Sequence, residues 1–211
     1  MRQNIVYIIL LLLVAACSGQ PDAQLDQPTG EIVFPSGEAV RLYAGIQKSV
    51  NQALTDNSGG YFLLQFSSSL DGKTRNVLEQ VGVVFFDYIP NNAYYAFLTP
   101  ESLKTLQQLE SEGVLVYVGS IPTAAKLDPG LTEKMQEDPD QRLNLIVQFF
   151  EEPSQDEKHE LELLMEATSY SFGPVNFVEG SASAGKLEEI ISLSFVKWVE
   201  EQIPGELGEN G

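Results

Sequence analysis

The chain has 211 residues, 43% of them hydrophobic, enough to bury a core in one or two small domains. It carries 30 Asp and Glu against 12 Lys and Arg, a net charge of −18, which argues against electrostatic binding to nucleic acid or to anionic lipid. Cys17 is the single cysteine, so no internal disulfide is expected and the fold rests on its core alone.

Residues 1–16 read as a signal peptide. Arg2 is a short basic region, Ile5 to Val14 is apolar, and small residues precede Cys17. The apolar stretch is shorter than a membrane-spanning helix needs. Val14-Ala15-Ala16-Cys17 resembles the lipobox of bacterial lipoproteins, which implies that Cys17 becomes a lipidated N-terminus and anchors the chain to a membrane on the extracytoplasmic side. Ser18 to Gly30, rich in Gln, Asp, Pro and Gly, reads as part of a tether, and residues 17–58 as tether and lead-in. Within it Glu31 to Phe34 suits a short strand. Ala39, Tyr43, Ile46, Val50 and Leu54 recur at three- and four-residue steps, so a helix is expected over Glu38 to Leu54.

Asp56 to Gly60 is a break, and a first unit follows over 59–126. Tyr61 to Phe66 is strand material. Lys73 to Gln80 is compatible with a helix, and Val83 to Tyr88 alternates as a strand. Pro90-Asn91-Asn92 is turn chemistry, since proline fixes φ and asparagine tolerates the left-handed region. Ala93 to Leu98 is a further strand. Thr99-Pro100-Glu101 opens a helix with an N-cap threonine, proline at the first position and an acid in the first turn. Leu103, Leu106 and Leu109 share a helical face, Gly113 ends the helix, and Val114 to Val118 is the last strand. The order is βαββαβ.

Residues 127–141, polar and with two prolines, read as a linker. The order then repeats over 142–204. Ile146-Val147-Gln148-Phe149 sets against Leu63-Leu64-Gln65-Phe66. A helix is expected over Pro153 to Ala167, strands over Thr168 to Phe172 and Val175 to Ser181, and a short helix over Gly185 to Leu193 with Leu187, Ile190 and Ile191 inward. Phe195 to Val199 is the last strand, Trp198-Val199 matching Tyr117-Val118, with Trp198 expected as a structural anchor. Residues 205–211 are a tail. The fold class expected is α+β: two tandem ferredoxin-like antiparallel α/β sandwiches with both helices of each on one sheet face. Units of about 60 residues bury only about 60% of their unfolded surface, so the open sheet faces need cover from the sister unit or a partner.

Catalytic signatures are missing. His159 sits among charges and reads as a solvated helix residue. No HExxH, paired cysteines or glycine-rich phosphate loop occurs, so neither metal nor cofactor is expected, nor an enzyme.

Val196-Lys197-Trp198-Val199-Glu200-Glu201 resembles the end of a subtilisin propeptide, of the inhibitor I9 or propeptide-inhibitor family, whose last strand typically ends Val-x-Tyr/Trp-Val/Ile-Glu before an extended tail. The first unit, with DYIPNNAYYAFLTPESLKTLQQL and VLVYVGSIPTAAKL, resembles the extra N-terminal domain before some large secreted subtilisin-like proteases. The likeness covers about Tyr61 to Pro204. It implies a ferredoxin-like fold whose sheet docks on two surface helices of a subtilisin-like serine protease, with acids at the strand end meeting the helix N-termini and the tail lying in the cleft. By position Glu200 and Glu201 would be those acids, and Gln202, Ile203, Pro204 and Leu207 would belong to the tail. The matching positions of the first unit are Gly119 and Ser120, so that unit is expected to be structural. No protease domain follows Gly211, which points to a stand-alone inhibitor or a folding helper acting in trans. A cell-surface protein- or peptide-binding lipoprotein is the alternative. A small-molecule sensor is a third reading, against which the lack of a convergent polar pocket signature counts.

Overall fold

The computed structural model describes residues 28–34, 36–37 and 39–202. Among them the chain is α+β, with six α-helices and three sheets. A hairpin comes first, β1 (Pro28–Val33) antiparallel to β2 (Ala39–Tyr43). Then follow β3 (Gly45–Ile46), α1 (Lys48–Thr55), β4 (Gly60–Phe66), α2 (Gly72–Gln80), β5 (Val84–Ile89), β6 (Ala93–Leu98), α3 (Leu103–Ser111) and β7 (Leu115–Gly119). The five strands after the hairpin form one sheet in the order β3-β7-β4-β6-β5. After α4 (Pro129–Glu137), the elements β8 (Arg142–Phe149), α5 (Gln155–Glu162), β9 (Glu166–Ser171), β10 (Asn176–Ser183), α6 (Leu187–Ser192) and β11 (Val196–Glu201) build a second sheet, β11-β8-β10-β9.

The two sheets repeat one register. Leu64 pairs with Val118 and Gln65 with Tyr117; the next pair is Phe66 with Leu115, so Val116 bulges out. In the second sheet Val147 pairs with Val199, Gln148 with Trp198 and Phe149 with Val196, so Lys197 bulges out. The bulge falls at the same place in both sheets, on the strand that closes each βαββαβ series.

Local chemistry explains most elements. Asn91 and Asn92 take φ of 68° and 58°, which lets the β5–β6 hairpin turn through Pro90, Asn91 and Asn92 between the paired Ile89 and Ala93. Asp71 caps α2 by accepting from the Thr74 backbone N–H, and that bond holds its carboxyl below the usual range. Ser154 and Glu157 form a capping box on α5. Thr99 precedes the helical turn as expected, but its hydroxyl donates to the Val81 carbonyl instead of capping the helix. Gly113, at φ +70°, ends α3.

Three expectations need correction. The helix expected over Glu38 to Leu54 is helical only from Lys48, because Val40 and Leu42 turn inward at period two in β2 and Gly45 takes φ +108°. The helix over Pro153 to Ala167 stops at Glu162, because Glu166 and Ala167 pair with Ser181 and Gly180 at the sheet edge. Residues 127–141, expected as a linker, contain α4, whose N-cap Asp128 and N1 Pro129 start it and whose Leu131 is 1% exposed in the core of the second sheet.

The helix-side faces of the sheets hold separate cores. Phe62, Leu64, Phe66, Leu98 and Val118 meet Val50, Leu78 and Leu106 in the first. Leu143, Leu145, Val147, Val178 and Val199 meet Leu161, Leu187, Ile190 and Ile191 in the second. The opposite face of the first sheet is also buried: Leu63, Ala93, Tyr95 and Tyr117 pack under Ile32, Phe34 and Leu42 of the β1–β2 hairpin and against Phe150.

Candidate functional site

No hairpin covers the far face of the second sheet among the described residues, although its Trp198 and Gln148 end meets the first half across a cavity. Leu143, Leu145, Val147 and Phe149 turn to the helices, so Asn144, Ile146 and Gln148 turn away from them. The pairings line up two rows across that face. Trp198, Gln148 and Phe177 stand opposite one another, and Glu200, Ile146 and Glu179 form the next row. All six are half-buried. The pattern is an apolar centre, Trp198, Ile146 and Phe177, flanked by two carboxylates. Each acid lies one strand away from Ile146, which puts them about 10 Å apart at the usual strand spacing.

The bulge at Lys197 sets this arrangement. Two positions apart, Val196 and Trp198 would share a face in a regular strand; the extra residue leaves Val196 and Val199 in the core and turns Trp198 outward. Trp198 is therefore not the core anchor that strict alternation implies. Its indole N–H donates to Glu200 Oε2 at 3.0 Å, which fixes that carboxylate on the open face. Lys197 crosses to the first sheet and pairs with Asp87 at 2.6 Å. Beside Trp198 a cavity of about 300 Å³ lies between the sheets, walled by Tyr88, Tyr95, Ala125, Gln148 and Lys197.

Glu201 does not join the row. It pairs with Lys134 of α4 at 2.5 Å. Gln202 continues the ladder by one bond, its N–H donating to the Asn144 carbonyl at 2.9 Å. The outer edge of β11 is partly occupied, since Leu127 bridges Val199 in parallel and the Asp128 N–H donates to the Val199 carbonyl at 2.9 Å. Cys17, Ile203, Pro204 and Leu207 lie outside the described residues. Glu179 went unnoticed in the sequence; the period-two pattern of Val178, Gly180 and Ala182 inward was the signal that places it outward.

The first sheet differs at the corresponding place. Gly119 pairs with Leu63 as Glu200 pairs with Ile146. A side chain on Gly119 would overlap the Tyr117 hydroxyl, which folds over it, and would lie 2.6 Å from Gln47 Cδ. An acid has no room there, and the hairpin already covers the face.

Among the described residues no group of three or more His, Cys, Asp or Glu gathers as a metal site, and no helix is long and apolar enough to cross a membrane. His159 is exposed on α5. The family described as a domain of unknown function, DUF8729, matches residues 29–122, which takes in the hairpin and the first sheet. No curated protein and no solved structure matches the chain.

Proposed function

We propose that the chain is a non-catalytic protein, anchored through lipid on Cys17 outside the cytoplasm, that binds a subtilisin-like serine protease as a stand-alone propeptide-type inhibitor or folding chaperone. In this reading the two sheets are tandem ferredoxin-like domains, 59–126 and 142–204, with α4 serving the second. The first is structural. The second docks through its open face, and residues 203–207 enter the cleft as an extended strand.

The observation that carries the reading is the unequal treatment of two equivalent faces. The first is sealed by Ile32, Phe34 and Leu42, and the second leaves Trp198, Ile146 and Phe177 half-buried between Glu200 and Glu179. Two carboxylates about 10 Å apart suit the N-termini of two helices packed side by side, whose axes lie about 8–10 Å apart. Glu200 is held ready by Trp198, and Glu179 takes the second place that sequence alone gave to Glu201, which is engaged with Lys134.

The test is inhibition of a panel of secreted subtilisin-like proteases by the purified chain, with three variants. Deleting Gln202 to Gly211 should abolish inhibition and leave the fold intact. Glu200→Ala and Glu179→Ala should each weaken it and reduce its salt sensitivity. If the tail deletion inhibits as well as the intact chain, the propeptide mechanism is excluded. Retained capture of a protease without inhibition would then favour a binding module that uses the sheet face alone.

A further inference from the structure

A second cavity, of about 310 Å³, opens on another side of the junction between the two halves. Gly59, Gly60, Tyr61, Phe62, Ser120 and Ile121 line it from the first half, Ser192 and Ser194 from the second, and Lys126 from the turn between them. Lys126 is 4% exposed. It leaves the short 3-10 turn after β7, and its Nζ donates to the Leu193 carbonyl at 2.9 Å.

An ammonium has three donors, and this one has a single acceptor among the described residues. No carboxylate among the described residues pairs with it, and none lines the cavity, although the chain holds 30 Asp and Glu. A buried cation without a counter-ion is costly unless it is neutralised or paired. Here burial pushes the lysine down to about 8, so it still carries its charge at neutral pH. The volume is at the lower end of small-ligand sites, about 300–1,000 Å³.

We propose that this cavity is a binding site for a small monocarboxylate with an apolar or aromatic body. The carboxylate accepts from Lys126 Nζ and from the hydroxyls of Ser120 and Ser194, and the body lies against Tyr61 and Ile121. The site draws on both halves of the chain, so the ligand binds only when they are docked. It is separate from the protease-facing sheet surface and stands or falls independently of it.

Benzoate serves as the probe and benzamide as its uncharged isostere. Each is titrated into the full chain in detergent, followed by amide resonances of Ser120, Ser192 and Ser194. Benzoate should give saturable shifts, and benzamide should bind about tenfold more weakly or worse, the difference between a charge-assisted bond and a neutral one. Lys126→Met keeps the length of the stem and should lose the benzoate response while its remaining spectrum stays dispersed. No saturable benzoate shift overturns the proposal. So does equal binding of the two probes to the native chain, a comparison that needs no variant. Benzoate binding to a folded Lys126→Met chain at native strength overturns it as well.

Discussion

Phe150 stacks on Tyr61 with ring centroids 4.6 Å apart and planes inclined by 15°. The pair joins the end of the second sheet's first strand to the first sheet, and Phe86 and Tyr95 close around Phe150 at 5.2 and 5.6 Å. Phe150 is 6% exposed, so it belongs to the first half's core although it follows β8 of the second. Phe150→Ala should cost about 3–5 kcal/mol. Calorimetry should show one transition for the native chain and two for the variant, as the halves lose their coupling. A single transition at the native temperature would disprove the coupling.

Trp198→Ala should be mild for stability and severe for binding. The side chain is half-buried on an open face, so roughly half of the 1.5–3 kcal/mol of a fully buried large side chain is at stake. Denaturant midpoints give the stability, and protease titration the binding. A stability loss as large as that of Leu145→Ala, at about 2–5 kcal/mol for a wholly buried leucine, would return Trp198 to the core.

Gly119→Ala should destabilise the chain by about 1–3 kcal/mol, because the new methyl meets Tyr117, itself 3% exposed and unable to swing out. Gly119→Glu should do worse and should not create a second protease site. Chemical denaturation checks the first point and inhibition stoichiometry the second.

The join should resist trypsin under native conditions even though Lys134 lies in it. Leu131 is buried, and Lys134 is held by Glu201. Leu131→Asp should free α4 and make this segment the first cut, read by mass spectrometry of limited digests. Early cleavage of the native chain there would contradict the docked helix.

Stability should rise with pH above 8 and then fall. Burial holds the folded Lys126 at about 8 against an ordinary 10.5, so between those values the unfolded chain binds more protons and each step up in pH favours the fold. The penalty is fully present below pH 8 and gone by about 10.5, a span worth roughly 3 kcal/mol. Tyr61 and Tyr95 act in the opposite sense. Burial raises both, with Glu151 adding to the shift at Tyr61 and Asp87 at Tyr95, and burial with Glu162 pushes Tyr170 up to about 12. Their contribution is present below pH 10, where the unfolded phenols begin to ionise, and is lost above it. Urea melts across neutral to alkaline pH should show the rise in the native chain and not in Lys126→Met, with the fall common to both.

Much of this fold was legible because its signals are local. Ala93 to Leu98 reads as a strand and is one, and Leu187, Ile190 and Ile191 face inward as their spacing requires. Gln65 and Gln148 mark the same register position in both sheets, as the internal repeat implies. What escaped depends on distant pairing. The period-two pattern of β2 is also compatible with three- and four-residue steps, and only pairing with β1 decides it. Helix propensity runs past Glu162 until the edge of the second sheet claims Glu166 and Ala167. The bulge that turns Trp198 out leaves no mark in composition. Lys126 sits in a stretch of small and apolar residues, and nothing nearby says that its ammonium ends against Leu193, 67 residues on.

The placing of Phe150 also bears on how the chain is made. Synthesis delivers Tyr61 and Phe86 well before Phe150, so in the first half these two rings wait for their partner until β8 has emerged and paired. During that interval the half-made protein presents a sticky surface that the finished one lacks. The hairpin with Ile32, Phe34 and Leu42 precedes that sheet in the chain, so it is already on hand to cover the rest of that face in the meantime.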